Sequence, residues 1–316
     1  MAFPRAGTKT FTFKFTPFYP DGTVSYPFGI NNIGTASGNY GNFINGSNNE
    51  VPGSIGQIVD QWQEWASGQL LGFGTLLYNP DTNSATQLPG YPNNNQQCGS
   101  QSSTCPTAFY GMNNAGWAVG VWNDSSNTEH GFVYNGSFKS FDYSGGIGTE
   151  AQAINDAGLV VGSYIDSNYV PHGFLYNANT SLFVAAPLDY PGATGGTLPL
   201  AINGYAQITG AYYDSAENGH GFLYSNGNFL SLSINCGLST TAEGLNDNDQ
   251  IVGFDDILGV YEGFTWDYQA QTCNTLSYPG SYNTRAYAIN DAGQISGSWN
   301  IDNQDANGFV AVAQTP

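Results

Sequence analysis

The chain has 316 residues, enough for a sizeable core, and carries 24 acidic against five basic side chains for a net charge of −19. That charge repels nucleic acid and anionic lipid and excludes both as partners. No apolar run reaches the roughly 18 residues of a membrane span. Polar residues are mainly Asn, Gln, Ser, Thr and Gly beside 15% aromatics, a mixture suited to a strand-rich secreted protein whose surface meets sugars.

The first ten residues, MAFPRAGTKT, lack the apolar core of a signal peptide and read as a mature chain with an added Met. Residues 11–31, FTFKFTPFYPDGTVSYPFGIN, align with residues 183–203, FVAAPLDYPGATGGTLPLAIN. The second of these is the close of one repeat and the start of another.

Six copies of that repeat follow: GINNIGTASG (29–38), GMNNAGWAVG (111–120), AINDAGLVVG (153–162), AINGYAQITG (201–210), GLNDNDQIVG (244–253) and AINDAGQISG (288–297). Their starts are 82, 42, 48, 43 and 44 residues apart. A period in the forties points to a propeller or solenoid. Each Asn-Asp-Ala-Gly type of segment predicts a tight hairpin turn, then an apolar strand, a polar loop, a third strand such as HGFLY, and a fourth such as SLFVAAPLDY. The expectation is an all-β, six-bladed β-propeller of four-stranded antiparallel blades, a single domain over residues 1–316. The sixth copy ends after GFVAVAQTP without a fourth strand, so residues 11–18 are expected to supply it and close the ring.

The first copy is the long one. Elsewhere the third-strand motif begins nine or ten residues after the repeat Gly, whereas GTLLY begins at Gly74, 36 residues after Gly38. The excess (near 41–70) holds VPGSIGQIVDQWQEWASG, in which Ile55, Ile58, Val59, Trp62 and Trp65 predict one face of a short helix. A second insertion, near 93–106, falls between the first and second blades. In a four-stranded blade the 2–3 and 4–1 connections leave on one face, so both insertions decorate that face, where binding is expected.

The phrase INDxG…VVG…HGFLY resembles the repeats of HAF-type extracellular repeat proteins of bacteria over about residues 11–312. The resemblance implies an extracellular bacterial protein and a propeller-like array, and it carries no catalytic residues.

Candidate site residues come in two kinds, those that repeat and those that break the repeat. Two positions after the Gly stand Tyr40, Trp122, Tyr164, Tyr212 and Trp299. They serve either to pack blades or as stacking platforms for sugar rings. Asp124, Asp166, Asp214, Asp256 and Asp302 follow in the loops as Asx-type turn formers, with calcium as an alternative role, although no loop has EF-hand spacing. His130, His172 and His220 share one repeat position. A zinc site is disfavoured because equivalent atoms of neighbouring blades lie roughly 10 Å apart or more, so a bond to a loop carbonyl is expected and no metal.

The fifth copy departs most. There GFDDILGVYEGFTW puts Asp255 at the aromatic position and Glu262 at the His position, with Asp256 and Tyr261 beside them. Two such carboxylates could serve as acid and base, or as nucleophile, in polysaccharide cleavage. Glu64, beside Trp62 and Trp65, is the next catalytic candidate. No nucleophile elbow, zinc-protease motif or phosphate-binding loop occurs. Cys98 and Cys105, in CGSQSSTC, are expected to pair; Cys236 and Cys273 either pair or are buried thiols. Two functions remain: a secreted module binding carbohydrate or a cell-surface polymer through the decorated face, and a polysaccharide hydrolase or lyase using Asp255, Asp256 or Glu262.

Overall fold

The computed structural model describes residues 12–17, 24–30, 36–41, 65–66, 69–70, 74–79, 84–98, 104–232, 239–301 and 307–314. Strand β1 (Thr12–Pro17) precedes a first blade of β2 (Val24–Ile30), β3 (Ala36–Gly41), β6 (Gly74–Asn79) and β7 (Ser84–Leu88), which is interrupted by the short pair β4 (Trp65–Ala66) and β5 (Gln69–Leu70). A second short pair, β8 (Tyr91–Pro92) and β9 (Thr104–Cys105), leads into the second blade, β10 (Thr107–Met112), β11 (Ala118–Asn123), β12 (Glu129–Tyr134) and β13 (Phe138–Phe141). The third is β14 (Gly148–Ile154), β15 (Leu159–Ile165), β16 (Pro171–Asn177) and β17 (Leu182–Ala185). The fourth is β18 (Gly196–Ile202), β19 (Ile208–Tyr213), β20 (Gly219–Ser225) and β21 (Asn228–Ser231). The fifth is β22 (Thr240–Leu245), β23 (Gln250–Ile257), β24 (Val260–Asp267) and β25 (Thr272–Leu276).

These five blades are four-stranded antiparallel sheets, of consecutive strands in all but the first. A further four-stranded sheet joins both ends of the chain: β26 (Asn283–Ile289), β27 (Gln294–Asn300) and β28 (Asn307–Gln314), with β1 pairing antiparallel to β28 from Thr12–Gln314 to Pro17–Phe309. The first strand of each sheet packs against the first strand of the next, and β26 packs back against β2. The sheets therefore form a closed ring, a β-propeller, and no helix occurs among the described residues.

The helix expected through Trp65 is not formed at its C-terminal end. Trp65 pairs with Leu70 and Ala66 with Gln69 in a two-stranded ribbon. The Ser67-Gly68 pair, poor in helices, separates the two strands. The apolar spacing that suggested a helix was too short to separate the two forms. Residues 55–64 lie outside the described set.

The repeat consensus has a physical reason at each position. The repeat Gly lies inside the second strand and faces the Phe of Gly-Phe across the ladder, as Gly162 faces Phe174 and Gly210 faces Phe222. A Cβ on Gly162 would collide with the Glu150 carbonyl, and one on Gly210 with the Leu198 carbonyl. Only glycine lets the inner strand approach this closely while the Phe ring covers it. Phe132, Phe174, Phe222 and Phe309 are all fully buried, each contributing about 1.5–3 kcal/mol by burial. Core clusters lie between successive blades, as where Val119 and Val133 meet Ala151, Ile154 and Val160.

The Asn of Ile-Asn-Asp does more than form a turn. Its Oδ1 caps its own hairpin, and Asn155 Oδ1 accepts from the N–H groups of Ala157 and Leu159 (3.1 and 3.0 Å). Its Nδ2 reaches the next blade. Asn113 donates to the Asn155 carbonyl (3.1 Å), Asn155 to Asn203 (3.0 Å), Asn203 to Asn246 (3.2 Å) and Asn246 to Asn290 (3.0 Å). The following Asp adds a second link, since Asp247 Oδ1 accepts from the Gly204 N–H (2.7 Å) and Asp291 Oδ1 from the Asp247 N–H (2.8 Å). The turns at this end are thus laced together blade to blade around the axis.

Candidate functional site

The repeated aromatics are spent on the scaffold. Trp122 lies between Tyr91 (4.2 Å between centroids) and His130 (4.4 Å). Tyr164 lies between Tyr143 (3.8 Å) and His172 (5.3 Å), and Tyr212 between Tyr190 (3.6 Å) and His220 (5.0 Å). Trp299 stacks on Tyr278 at 4.1 Å. The partner tyrosines come from the linker entering each blade, where their N–H groups donate to an inner-strand threonine: Tyr143 to Thr149, Tyr190 to Thr197 and Tyr278 to Thr284, each at 3.0 Å. Both faces of Trp122, Tyr164 and Tyr212 are covered by other rings, so of the two roles read from the sequence these three take the packing one. The linker motif Asp/Ser-Tyr-Pro/Ser-Gly (142–145, 189–192, 277–280) was the unread signal for this pairing.

The histidines bond to carboxylates and not to carbonyls. His130 Nδ1 meets Asp142 (2.9 Å) and His172 Nδ1 meets Asp189 (2.7 Å), while His220 Nε2 meets Asp214 (3.1 Å). The loop aspartates are Asx caps as the sequence predicts. Asp166 Oδ1 accepts from the N–H groups of Asn168 and Val170 (2.8 and 2.9 Å), and Asp214 Oδ1 from Ala216 and Asn218 (2.8 and 3.0 Å). Hydrogen bonds from Asn218 and then His220 hold the Asp214 carboxyl well below its usual range, and the Val170 N–H leads the same effect at Asp166. Asp302 lies outside the described residues.

The fifth blade rearranges the candidate carboxylates. Its second and third strands run on to a two-residue turn at Leu258-Gly259, both with positive φ, so the expected loop is a strand pair. Asp255 stands opposite Glu262, and Asp256 opposite Tyr261. Strand alternation puts Asp255 and Glu262 on one face and Asp256 with Tyr261 on the other. The three carboxylates therefore do not converge. Asp256 caps its own turn through the Gly259 N–H (2.8 Å), and Asp255, 2% exposed, accepts from Thr240 Oγ1 (2.9 Å). Thr240 keeps the inner-strand threonine of the other blades, but residues 233–239 contain no tyrosine and Asp255 stands opposite Thr240 where the other blades place the aromatic ring.

Tyr261 instead faces the sixth sheet. The Arg285 guanidinium lies 3.7 Å over its ring and 5.4 Å from that of Phe254. Beside Arg285 stands Glu243, and both line a part of the ring where the copies differ. Every inner strand has a register shift at one place; in β2 it falls between Tyr26 and Gly29, and in the other five it is occupied in turn by Tyr110, Gln152, Leu200, Glu243 and Tyr287. Such bulges re-aim a side chain. Burial pushes the Glu243 carboxyl up to about 8 despite the opposing pull of Arg285, so it is protonated at neutral pH. Its Oε1 and the Arg285 Nε have no hydrogen-bond partner among the described residues. The signal for these residues, a position that varies while its neighbours repeat, lies one residue before the start of each copy.

The face carrying the 2–3 turns and 4–1 linkers holds a cluster of bare apolar side chains. On the fifth blade and the sixth sheet these are Ile257, Leu258 (100% exposed), Tyr282 and Ile301. The Tyr282 N–H donates to the Asn300 carbonyl (2.7 Å) and the Tyr261 N–H to Asn283 Oδ1 (2.8 Å), which ties the three segments together. Ile147 and Tyr169 continue this face on the third blade, against Tyr205 alone among large exposed hydrophobics in the described 1–2 turns.

Of the remaining expected residues, Tyr40 lies in β3 opposite Gly74 and Trp65 in β4 opposite Leu70, their side chains being outside the described set. Trp62 and Glu64 lie outside it altogether. Cys98 and Cys105 are disulfide-bonded, as expected. Cys273 is also disulfide-bonded; its expected partner, Cys236, lies outside the described residues.

A family model described as a protein of unknown function, DUF3466, matches residues 140–314. No curated protein matches the chain in sequence. Among solved structures the chain is similar to TolB from Acinetobacter baumannii, with 13% identity, a TM-score of 0.50, and coverage of 77% of this chain and 65% of that one. The chain thus spans slightly under two thirds of that protein, and the likeness is one of fold alone. It is also similar to the β-propeller domain of the Trilobed protease from Pyrococcus furiosus (7% identity, TM-score 0.43, covering 87% and 79%). A polysaccharide lyase, PL25 ulvan lyase, gives 9% identity and a TM-score of 0.41, covering 90% and 79%.

Proposed function

Because the chain belongs to the DUF3466 family of proteins of unknown function, its site must speak for its role, and we propose that it is a secreted bacterial binding module for carbohydrate or a cell-surface polymer. Binding uses the face of the 2–3 turns and 4–1 linkers. The observation that carries this reading is the tied patch of Ile257, Leu258, Tyr282 and Ile301, apolar side chains that a blade does not need. The Cys98–Cys105 disulfide supports an oxidising, extracellular setting. The HAF-type kinship of the repeats and a count of six blades, with the composite sheet as the sixth, belong to the same proposal.

The test is co-sedimentation with insoluble polysaccharides and bacterial cell walls, using Leu258→Asp and Ile301→Asp against Leu182→Asp on an outer strand. Loss of binding in the first two and retention in the third is expected. Equal binding by all three refutes the face. A second reading, polysaccharide cleavage, rests on the in-register pair Asp255 and Glu262; cleavage surviving alanine at both eliminates it.

A further inference from the structure

A cavity of about 490 Å³ lies between the linker that enters the second blade and that blade's outer hairpin. This falls within the roughly 300–1,000 Å³ of small-molecule sites. Its walls are of two chemical kinds. Tyr91, Tyr134 and Phe138 supply aromatic surface, and Asn94, Asn95 and Gln97 supply amides. No Asp, Glu, Lys, Arg or His lines it among the described residues.

The walls are fixed in advance. The linker is anchored by the Cys98–Cys105 disulfide, by pairing of Tyr91 with Cys105, and by the Tyr91 N–H donating to Thr107 Oγ1 (2.8 Å). The Ser125 N–H donates to the Gln97 carbonyl (2.5 Å), joining the linker to the blade's 2–3 loop. On the opposite wall Tyr134 and Phe138 pack at 4.8 Å beneath the turn at Gly136 and Ser137. A site that needs no ordering on binding keeps more of its contact energy as affinity.

We infer that this cavity binds an uncharged sugar unit, with the aromatic wall against the C–H face of the ring and Asn94, Asn95 and Gln97 reading its hydroxyls. An amide offers both donors and an acceptor, matching a hydroxyl that is both. An aromatic ring accepts apolar C–H surface. The ligand's neutrality follows from charge. A uronic or sulfated sugar would meet a chain of net charge −19 with no cation among the described lining residues, and a cationic ligand would find no carboxylate among them. This inference rests on the carbohydrate-binding reading above and adds the ligand class and the place.

The experiment is an array of neutral and acidic glycans followed by calorimetric titration of the best neutral oligosaccharide. It uses the whole chain, Ser137→Trp to fill the cavity, the Asn94→Ala/Asn95→Ala pair, and Leu182→Asp on an outer strand, all checked for unchanged melting. Neutral glycans bound by the wild type, with affinity reduced about tenfold or more in Ser137→Trp and in the Asn pair and unchanged in Leu182→Asp, is the expected result. Wild-type affinity in Ser137→Trp, or preference for acidic glycans, overturns the cavity while leaving the carbohydrate reading intact. No glycan bound by the wild type overturns both.

Discussion

Replacing Asn155 by alanine tests the blade-to-blade lacing. The substitution removes three hydrogen bonds: donation from Nδ2 to the Asn203 carbonyl (3.0 Å) and acceptance from the Ala157 and Leu159 N–H groups (3.1 and 3.0 Å). Each bond contributes about 1 kcal/mol net, and partners left unpaired and buried cost about 1–3 kcal/mol, so a loss of about 3–5 kcal/mol is expected. At roughly 2–4 °C per kcal/mol for a large domain, melting should fall by about 10 °C. Differential scanning calorimetry reads this directly, with Asn228→Ala at the exposed start of β21 as a control expected within about 0.5 kcal/mol of wild type. A loss at Asn155 no larger than at Asn228 would refute the reasoning, because the repeat Asn would then be a turn residue and nothing more.

Other outcomes follow from the same structure. Glu243 keeps its proton in the fold up to about pH 8 while the unfolded chain releases it near the ordinary carboxylate range. Stability should therefore fall as pH rises across that window, by about 1.4 kcal/mol per unit at most, and Glu243→Gln should flatten the fall in a melting-against-pH series. Asp214 has the opposite sign: its folded carboxyl titrates below the ordinary range, so its stabilisation is present at neutral pH and is lost as pH falls through the acid region. Asp214→Asn should reduce the acid dependence of melting, and an unchanged acid limb contradicts the cap. The double change Cys98→Ser and Cys105→Ser opens a loop with a sequence separation of 7. Chain entropy puts the cost at about 2.5 kcal/mol, read by urea denaturation, and Asn94 and Asn95 should lose their placement, read as weakened glycan binding.

Much of the fold was legible in the sequence because its repeat is made of hard steric requirements. Gly162 admits no Cβ, Phe174 covers it, and Asn155 needs both its capping oxygen and its donating amide; such positions cannot drift, so copies stay recognisable. The N-terminal strand was legible for a related reason, since an edge left by β28 needs a partner. What repetition concealed was use. Trp122, Tyr164 and Tyr212 read equally as sugar platforms or as packing until their linker tyrosines were placed beside them. Asp255 and Asp256, adjacent in sequence, point to opposite faces once the turn at Leu258-Gly259 sets the register, and spacing alone could not say where the strand ended. The cavity beneath Gly136 and Ser137 joins residues from a linker and an outer hairpin some forty positions apart, a meeting that no local pattern encodes.

The most direct measurement of the central claim is hydrogen exchange of the whole chain with and without a polysaccharide that it binds. The account predicts slowed exchange at the 2–3 turns and 4–1 linkers, at Leu258–Val260, Tyr282–Asn283 and the linker from Tyr91 to Cys98. It predicts no change at the 1–2 turns around Asp156–Gly158 and Gly204–Ala206. Protection confined to those 1–2 turns would place the ligand on the laced end of the ring and contradict the account.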